Sequence, residues 1–277
     1  MTSTQPAPST ATLAPPVVDP SPWLRARRAA QDTQSVVWRD LLRTVRQPDV
    51  LVFAVVMGVF FLMLFNYVFG GSIGAGAGID YLEFLVPGVL VITALQGAQQ
   101  TSMSLASDLA EGVVDRFRSL PMSQTAVTAG KTLADSFRNV ISLVLVALVA
   151  LLMGYRFASF GGAVAAIALA TVIGYGFSWM GAAIAVKVRK PDAVGMLSMF
   201  WLFPLMLAST AFTPAGTMPS WLQPFAEYQP ISAAADAVRG VANGTADSSS
   251  ILLALGWTVL LLIVFIPLTG RLYRKAP

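Results

Sequence analysis

The sequence of 277 residues contains no cysteine and no histidine. Without cysteine the chain can form neither a disulfide framework nor a thiolate metal site. The lack of histidine removes the side chain most used for proton transfer near neutral pH. Charged residues are scarce at 12%, against about a quarter in soluble domains, whereas hydrophobic residues make up 56%. A soluble protein of this composition could not cover its surface with polar groups.

Apolar runs of about 20 residues, long enough to cross the hydrocarbon core of a bilayer, recur along the chain. We therefore predict an all-α polytopic protein of the inner or plasma membrane with six transmembrane helices. The net charge of +4 would suit a nucleic-acid partner, but loop charges that orient a membrane protein explain it better, and no nucleic acid is expected. The predicted spans lie at about 50–69, 82–105, 131–155, 161–186, 193–212 and 251–269.

The positions of lysine and arginine predict that the N- and C-termini are both cytoplasmic. With six spans and the N-terminus inside, all but two of the 18 Lys and Arg residues fall in inner segments. Only Arg156 and Arg239 fall outside. This bias is what the positive-inside rule describes, and the reverse orientation would violate it at every loop.

The N-terminal part divides into a tail and a helix. Residues 1–22 are rich in Ser, Thr, Ala and Pro, which predicts a disordered cytoplasmic tail, and residues 23–277 form the membrane domain. Within 23–47, apolar residues at helical spacing oppose a row of arginines, a pattern typical of a helix lying in the membrane interface. The residues that carry this pattern are Trp38, Arg39, Arg43 and Arg46.

The sequence AGKT at Ala129–Thr132 resembles the end of a nucleotide-binding P-loop. The motif requires a glycine at position 125, which is Thr125, and it should follow a buried strand rather than a polar loop. We therefore expect the chain to have no ATPase site. With no catalytic constellation or metal-ligand set in the sequence, we do not expect an enzyme or a bound cofactor.

Charged residues at the start of the third span fall on one helix face, at Lys131, Asp135 and Arg138. A charge at the middle of a spanning helix costs about 2.5–3.5 kcal/mol. We therefore place these three residues at the cytoplasmic end of the span, where both cations can pair with Asp135. Anchoring at the interface explains them better than an ion pathway.

Polar amides occur inside the first two spans, at Asn66, Gln96, Gln99 and Gln100. Such side chains either hydrogen-bond across helix contacts or line a substrate path, and the sequence leaves both readings open. Tyr175 in the fourth span could pack against an apolar substrate or against its neighbours. The candidate substrate path consists of Asn66, Gln96, Gln100 and Tyr175.

Three segments connect the spans in distinctive ways. The Gly-rich stretch at 70–78 is predicted to be a connector. The stretch at 213–250, which contains Pro and Trp, is predicted to be an external segment, and its apolar content suggests that it dips into the bilayer. At about 108–120, acidic residues oppose an apolar side until Pro121 ends the pattern. This third segment is either a short amphipathic cytoplasmic helix able to transmit force from a partner or a solvated loop.

Four stretches together resemble the type-2 ABC export permeases, especially the daunorubicin-resistance subgroup of actinobacteria. The loop and following helix match over EGVVDRFRSLPMSQTAVTAGKTLADSFRN, and the interfacial helix over WRDLLRTVRQPDVL. YLEFLVPGVL is similar to the start of that family's second span. MPSWLQPFAEYQPISAAADAVRGV is similar to its external segment, and the tail 1–22 lies outside the resemblance.

The resemblance implies a permease subunit of an ATP-driven exporter of amphipathic drugs, lipids or glycolipids. It implies two copies of a separate ABC ATPase, which use ATP and Mg, together with a second permease, identical or a sister chain, and contact with membrane lipids. It also implies a brace by the interfacial helix and short external helices that re-enter the outer leaflet. The implied coupling helix carries Asp108, Glu111, Gly112, Asp115, Arg116, Phe117 and Arg118.

Two other functions compete with this expectation. An ATP-independent secondary transporter would respond to a proton gradient, but intramembrane acids are sparse and no internal repeat is evident. A non-transporting assembly subunit of the membrane is the other alternative, and only a measurement of flux separates it from a permease.

Overall fold

A computed structural model describes residues 49–111 and 124–275, and all regular elements within these two ranges are helices. Five helices there are long and apolar enough to cross a membrane, and a sixth apolar helix is shorter. The α-helices are α1 (Asp49–Leu64), α2 (Gly70–Ala77), α3 (Tyr81–Ala110), α4 (Gln124–Leu152), α5 (Phe160–Val188), α6 (Pro191–Leu207), α7 (Gln223–Tyr228), α8 (Pro230–Asn243) and α9 (Ser248–Lys275).

The Gly-rich stretch predicted as a connector is helical instead. A π-helical turn at Phe65–Phe69 joins α1 to α2, and together they give one apolar span at Val52–Gly74. Each glycine costs about 1 kcal/mol in a helix relative to alanine. In an apolar environment this cost is smaller than the cost of leaving backbone N–H and C=O groups without hydrogen bonds, because no water is present to bond them outside a helix. The helix ends at Gly78, whose φ of 64° is left-handed.

Helix α3 lies at the centre of the bundle and contacts α4, α5, α6 and α8. It begins at Asp80, whose side chain accepts hydrogen bonds from the backbone N–H groups of Leu82 and Glu83. Small residues let neighbouring backbones approach α3 closely. A Cβ added at Gly88 would lie 2.0 Å from the carbonyl oxygen of Ala211, so this position accepts glycine alone without movement.

Helix α6 is shorter than the span predicted at 193–212. Its 17 residues reach about 25 Å at 1.5 Å per residue, against roughly 30 Å of hydrocarbon. The helix ends at Leu207, and the next α-helix begins at Gln223. Gln229 Nε2 donates hydrogen bonds to the carbonyl oxygens of Leu205 (2.9 Å) and Ala208 (2.8 Å) at this helix end. Gln229 thus satisfies carbonyl groups that a helix end leaves without partners.

The external segment folds onto the bundle through α8, which contacts α3, α5 and α9. Short helices were predicted in this segment, and α7 and α8 are present there. Pro224 and Pro230 lie in the first turns of these two helices. Proline is well tolerated there because the first helical N–H groups have no partner within the helix. Re-entry into the bilayer stays a prediction.

Two residues of the predicted coupling helix lie at the end of α3, and the coupling helix itself stays a prediction. Helix α3 continues to Ala110, so Asp108 lies in the last turn of a membrane-length helix and Glu111 is its C-cap residue. The remaining coupling residues (Gly112, Asp115, Arg116, Phe117 and Arg118) lie outside the described residues. The same holds for the tail 1–22 and for Trp38, Arg39, Arg43 and Arg46.

Candidate functional site

A cavity of about 240 Å³ opens between α1, α3, α4 and α6. One side is apolar and belongs mainly to α1, whereas the other side is polar and belongs to α3 and α4. Such a mixed lining suits a ligand with both polar and apolar parts. The lining residues are Phe53, Ala54, Met57, Phe61, Gln96, Gly97, Gln99, Gln100, Asp135, Arg138, Asn139, Ser142 and Met199.

The polar wall combines two amides that are bonded within the protein, Asn139 and Gln99, with two that are not. Asn139 Nδ2 donates to the carbonyl oxygen of Ala94 at 3.0 Å, which ties α4 to α3. Gly97 makes this approach possible, because a Cβ there would lie 2.5 Å from the Asn139 side chain. Within the described part of the chain, Gln96 and Gln100 have no side-chain hydrogen bond, so their amides are available to a ligand.

A largely buried ion pair belongs to the lining of the cavity. Arg138 Nη2 lies 2.8 Å from Asp135 Oδ1, and the two side chains are 16% and 5% exposed. The predicted pairing of Arg138 with Asp135 is confirmed, while the side chain of Lys131 is outside what the structure describes. The sequence predicted these residues only as anchors at the membrane interface, whereas the structure also places both in the lining of the cavity.

An apolar groove of about 820 Å³ runs along α6 beside the cavity. Gln99 and Met199 line both spaces, so the groove and the cavity adjoin at these two residues. Gln99 Nε2 donates to the carbonyl oxygen of Gly195 at 3.3 Å, which holds α3 against α6 at the junction. The groove is lined by Gln99, Met103, Asp192, Gly195, Met196, Met199, Phe200, Phe203 and Pro204.

The structure separates the four residues of the predicted substrate path. Gln96 and Gln100 line the cavity, whereas Asn66 and Tyr175 line neither the cavity nor the groove. Asn66 lies in the π-helical turn, and the Tyr175 ring packs edge-on against Trp179 at 6.3 Å. Residue-by-residue reading missed Asn139, although an amide beginning an otherwise uncharged run is a usable signal.

A second polar cluster joins α8 to the start of α3. Arg239 Nε and Nη2 donate to the carbonyl oxygens of Phe84 (3.1 Å) and Thr210 (2.8 Å), and Nη1 bonds Asp236. The guanidinium carbon lies 3.8 Å from the centre of the Phe84 ring. Burial lowers the pKa of Arg239, and Asp236 opposes this shift. The cluster binds the external segment to the central helix.

Asn243 repairs a gap in the hydrogen bonding of α3. Pro87 has no N–H to donate to the carbonyl oxygen of Glu83, one turn earlier in the helix. Asn243 Nδ2 donates to that oxygen at 3.1 Å, and Asn243 Oδ1 accepts from the Tyr155 hydroxyl at 2.6 Å. One side chain of α8 therefore compensates for the proline and also holds the turn before α5.

Comparison with known proteins gives one family and several relatives. Residues 31–242 match the family described as ABC-2 type transporter. A daunorubicin resistance ABC transporter permease protein of Streptomyces coeruleorubidus is 38% identical over 248 residues, covering 89% of this chain and 87% of the relative. A probable doxorubicin resistance ABC transporter permease protein of Mycobacterium tuberculosis is 24% identical over 252 residues, covering 86% of each chain. A putative transport permease of Porphyra purpurea is 24% identical over 220 residues, covering 78% and 75%.

Proposed function

Because the chain belongs to the ABC-2 type transporter family, we propose that it is the membrane subunit of an ATP-driven exporter of amphipathic compounds. It is a multi-pass permease of the cell membrane, and its relatives are named for daunorubicin and doxorubicin resistance. Drugs of that kind, lipids and glycolipids are the proposed substrates.

The observation that carries the proposal is the junction of a polar cavity with an apolar groove at Gln99 and Met199. An amphipathic molecule needs both surfaces at once, with its polar part against amides and its apolar part against the groove. Three of the nine residues that line the groove are methionines, and their flexible thioethers adapt to ligands of different shape. A surface of this kind suits a transporter of several related compounds.

Helix α3 supports a coupling route between the cytoplasm and the cavity. It carries Gln96 and Gln100 in its middle and ends at Ala110, beside Glu111. Gln100 and Glu111 are separated by about 16 Å along one continuous helix. A push at the Glu111 end would move the polar wall of the cavity without an intervening hinge.

The driving force would come from two copies of a separate ABC ATPase, which bind ATP and Mg. The coupling contact would consist of Glu111 and the residues that follow it, braced by the interfacial helix, whereas Asp108 is buried at the end of α3. A second permease, identical or a sister chain, would complete the membrane part, with lipids around it.

Export by the purified complex tests the proposal. The full chain would be isolated in mild detergent with the subunits that copurify, reconstituted into vesicles, and assayed for ATP-dependent movement of a fluorescent anthracycline. We expect Glu111→Lys to abolish ATP-driven movement. The matched control is Glu227→Lys, an exposed charge reversal on α7, which should leave movement unchanged.

The possible results separate the competing functions. If Glu111→Lys leaves both ATPase binding and export intact, the coupling assignment is wrong. Movement driven by a proton gradient in the absence of ATP would identify a secondary transporter. A complex that hydrolyses ATP but moves no amphiphile would identify an assembly subunit.

A further inference from the structure

Two amides in the cavity can recognise a polar head group. Gln96 and Gln100 are half-buried, line the cavity and make no side-chain hydrogen bond within the described residues. A primary amide offers two donors and one acceptor, so it matches a hydroxyl or another amide, which also donates and accepts. A phosphate at neutral pH only accepts, and it would leave the glutamine carbonyl oxygens without partners.

The charges around the cavity disfavour an anionic head. Arg138 is the one cation in the described lining of the two spaces, and Asp135 neutralises it at 2.8 Å. Asp192 adds a further negative charge at the groove. Among the described lining residues, an anion would meet no uncompensated positive charge, so it would lose hydration without gaining a counter-ion from them.

The cavity is smaller than the groove, so the two spaces suit a ligand with a small head and a larger body. Pockets that enclose a whole drug-sized ligand measure about 300–1,000 Å³. The cavity, at about 240 Å³, holds less than such a molecule, whereas the groove of about 820 Å³ is open along α6 and leaves room for an apolar remainder against its surface. Gln99 and Met199 border both spaces, so a ligand that occupies both would pass from head to body beside them.

We infer that this site selects amphiphiles whose head carries hydroxyl or amide groups and no negative charge, and that it rejects anionic phospholipids. Gln96 and Gln100 recognise the head, the Asp135–Arg138 pair leaves the described lining of the cavity without net charge, and the groove along α6 holds the apolar chain. The inference rests on the proposed export function and adds the chemical class of its substrate. It also explains how an exporter embedded in a membrane with anionic lipids avoids being occupied by them.

Photoaffinity labelling of the full chain with its copurifying subunits, in lipid nanodiscs and without ATP, tests this selection. Two probes would share a dodecyl chain with a diazirine and differ only in the head, a glucoside in one and a phosphate in the other. We expect the glucoside probe to label peptides of α6 at least about tenfold more strongly. Replacing Gln96 and Gln100 together by methionine should lower glucoside labelling about tenfold, since each hydrogen bond changes affinity by about three- to tenfold.

Two further variants separate recognition from general damage. Gln223→Met removes an amide that donates to the carbonyl oxygen of Met218, far from the cavity, and should leave labelling unchanged. Asp135→Asn keeps the shape of the side chain but leaves Arg138 uncompensated, so labelling by the phosphate probe should rise several-fold.

Equal labelling by the two probes, or stronger labelling by phosphate, overturns the inference. So does a double glutamine variant that keeps the wild-type head preference. Because labelling is measured without ATP, its outcome is independent of the export assay. A complex that exports the anthracycline without discriminating between head groups keeps the proposed function and refutes the selectivity.

Discussion

Replacing Arg239 by methionine should destabilise the protein by about 3 kcal/mol. The Arg239 side chain is 15% exposed and bonds two carbonyl oxygens and one carboxylate. Removing one partner of a buried ion pair typically costs about 3–5 kcal/mol, because the other charge stays buried without compensation. Asp236 is 37% exposed, so partial solvation of its carboxylate places the expected loss at the lower end.

The same reasoning predicts how the loss can be recovered. Adding Asp236→Asn to Arg239→Met removes the uncompensated charge and should restore about 1–2 kcal/mol. Burial raises the pKa of Asp236 while Arg239 lowers it, and nearby Glu227 raises it further. The net folded-state pKa of Asp236 already lies above its ordinary value, because burial outweighs Arg239, and it rises further without Arg239, so the deficit is present above that pKa. It should shrink as the pH falls through it, because protonation removes the charge.

Equilibrium unfolding of the purified chain in mild detergent measures these differences. The control is Arg156→Met, the other arginine predicted to lie outside. Arg156 is exposed and donates only to the carbonyl oxygens of Leu151 and Tyr155, so its loss should cost less than about 1 kcal/mol. Equal effects of the two arginine substitutions, or no recovery in the double variant, would refute the reasoning.

Two further predictions concern α3. Asn243→Ala should lower the free energy of unfolding by about 2 kcal/mol, because it removes two hydrogen bonds. In a chain that also carries Pro87→Ala, which restores the helical N–H, this loss should be about 1 kcal/mol smaller. Additive effects of the two substitutions in a double-mutant cycle would contradict the assigned donor. Gly88→Ala should cost about 2 kcal/mol because its Cβ would clash with a backbone carbonyl, whereas Gly71→Ala, which has open space, should be neutral or stabilise the helix by up to about 1 kcal/mol. Equal thermal unfolding temperatures of the two alanine variants would exclude close packing at position 88.

Hydropathy located the membrane helices because a bilayer imposes one length and one composition on them. The predicted spans at 82–105 and 161–186 fall inside α3 and α5, which extend beyond them at both ends. Local propensity failed at Gly70–Ala77, which begins inside the apolar span Val52–Gly74, because a membrane favours helix over the coil that glycine prefers in water. Hydropathy also extended the fifth span beyond Leu207, because buried non-helical residues are as apolar as helical ones.

The polar part of the candidate site was partly readable from the sequence. Amides in an apolar run stand out, so Gln96 and Gln100 could be singled out, and the structure places both at the cavity. The groove could not be found this way, since Met103 and Met199 look like ordinary lipid-facing residues until α3 and α6 are packed together. The bond between Arg239 and Phe84 joins positions 155 residues apart, which no local pattern reveals.

The hydrogen bond from Asn243 to the carbonyl oxygen of Glu83 has a consequence for how this chain can change over evolution. Pro87 leaves the carbonyl oxygen of Glu83 without a donor from its own helix, and Asn243 supplies a donor from another helix. Loss of the donor while the proline remains exposes a defect in the helix, whereas loss of the proline makes the donor dispensable. Related chains should therefore lose the proline first or exchange both residues together, so the two positions should covary although more than 150 residues separate them.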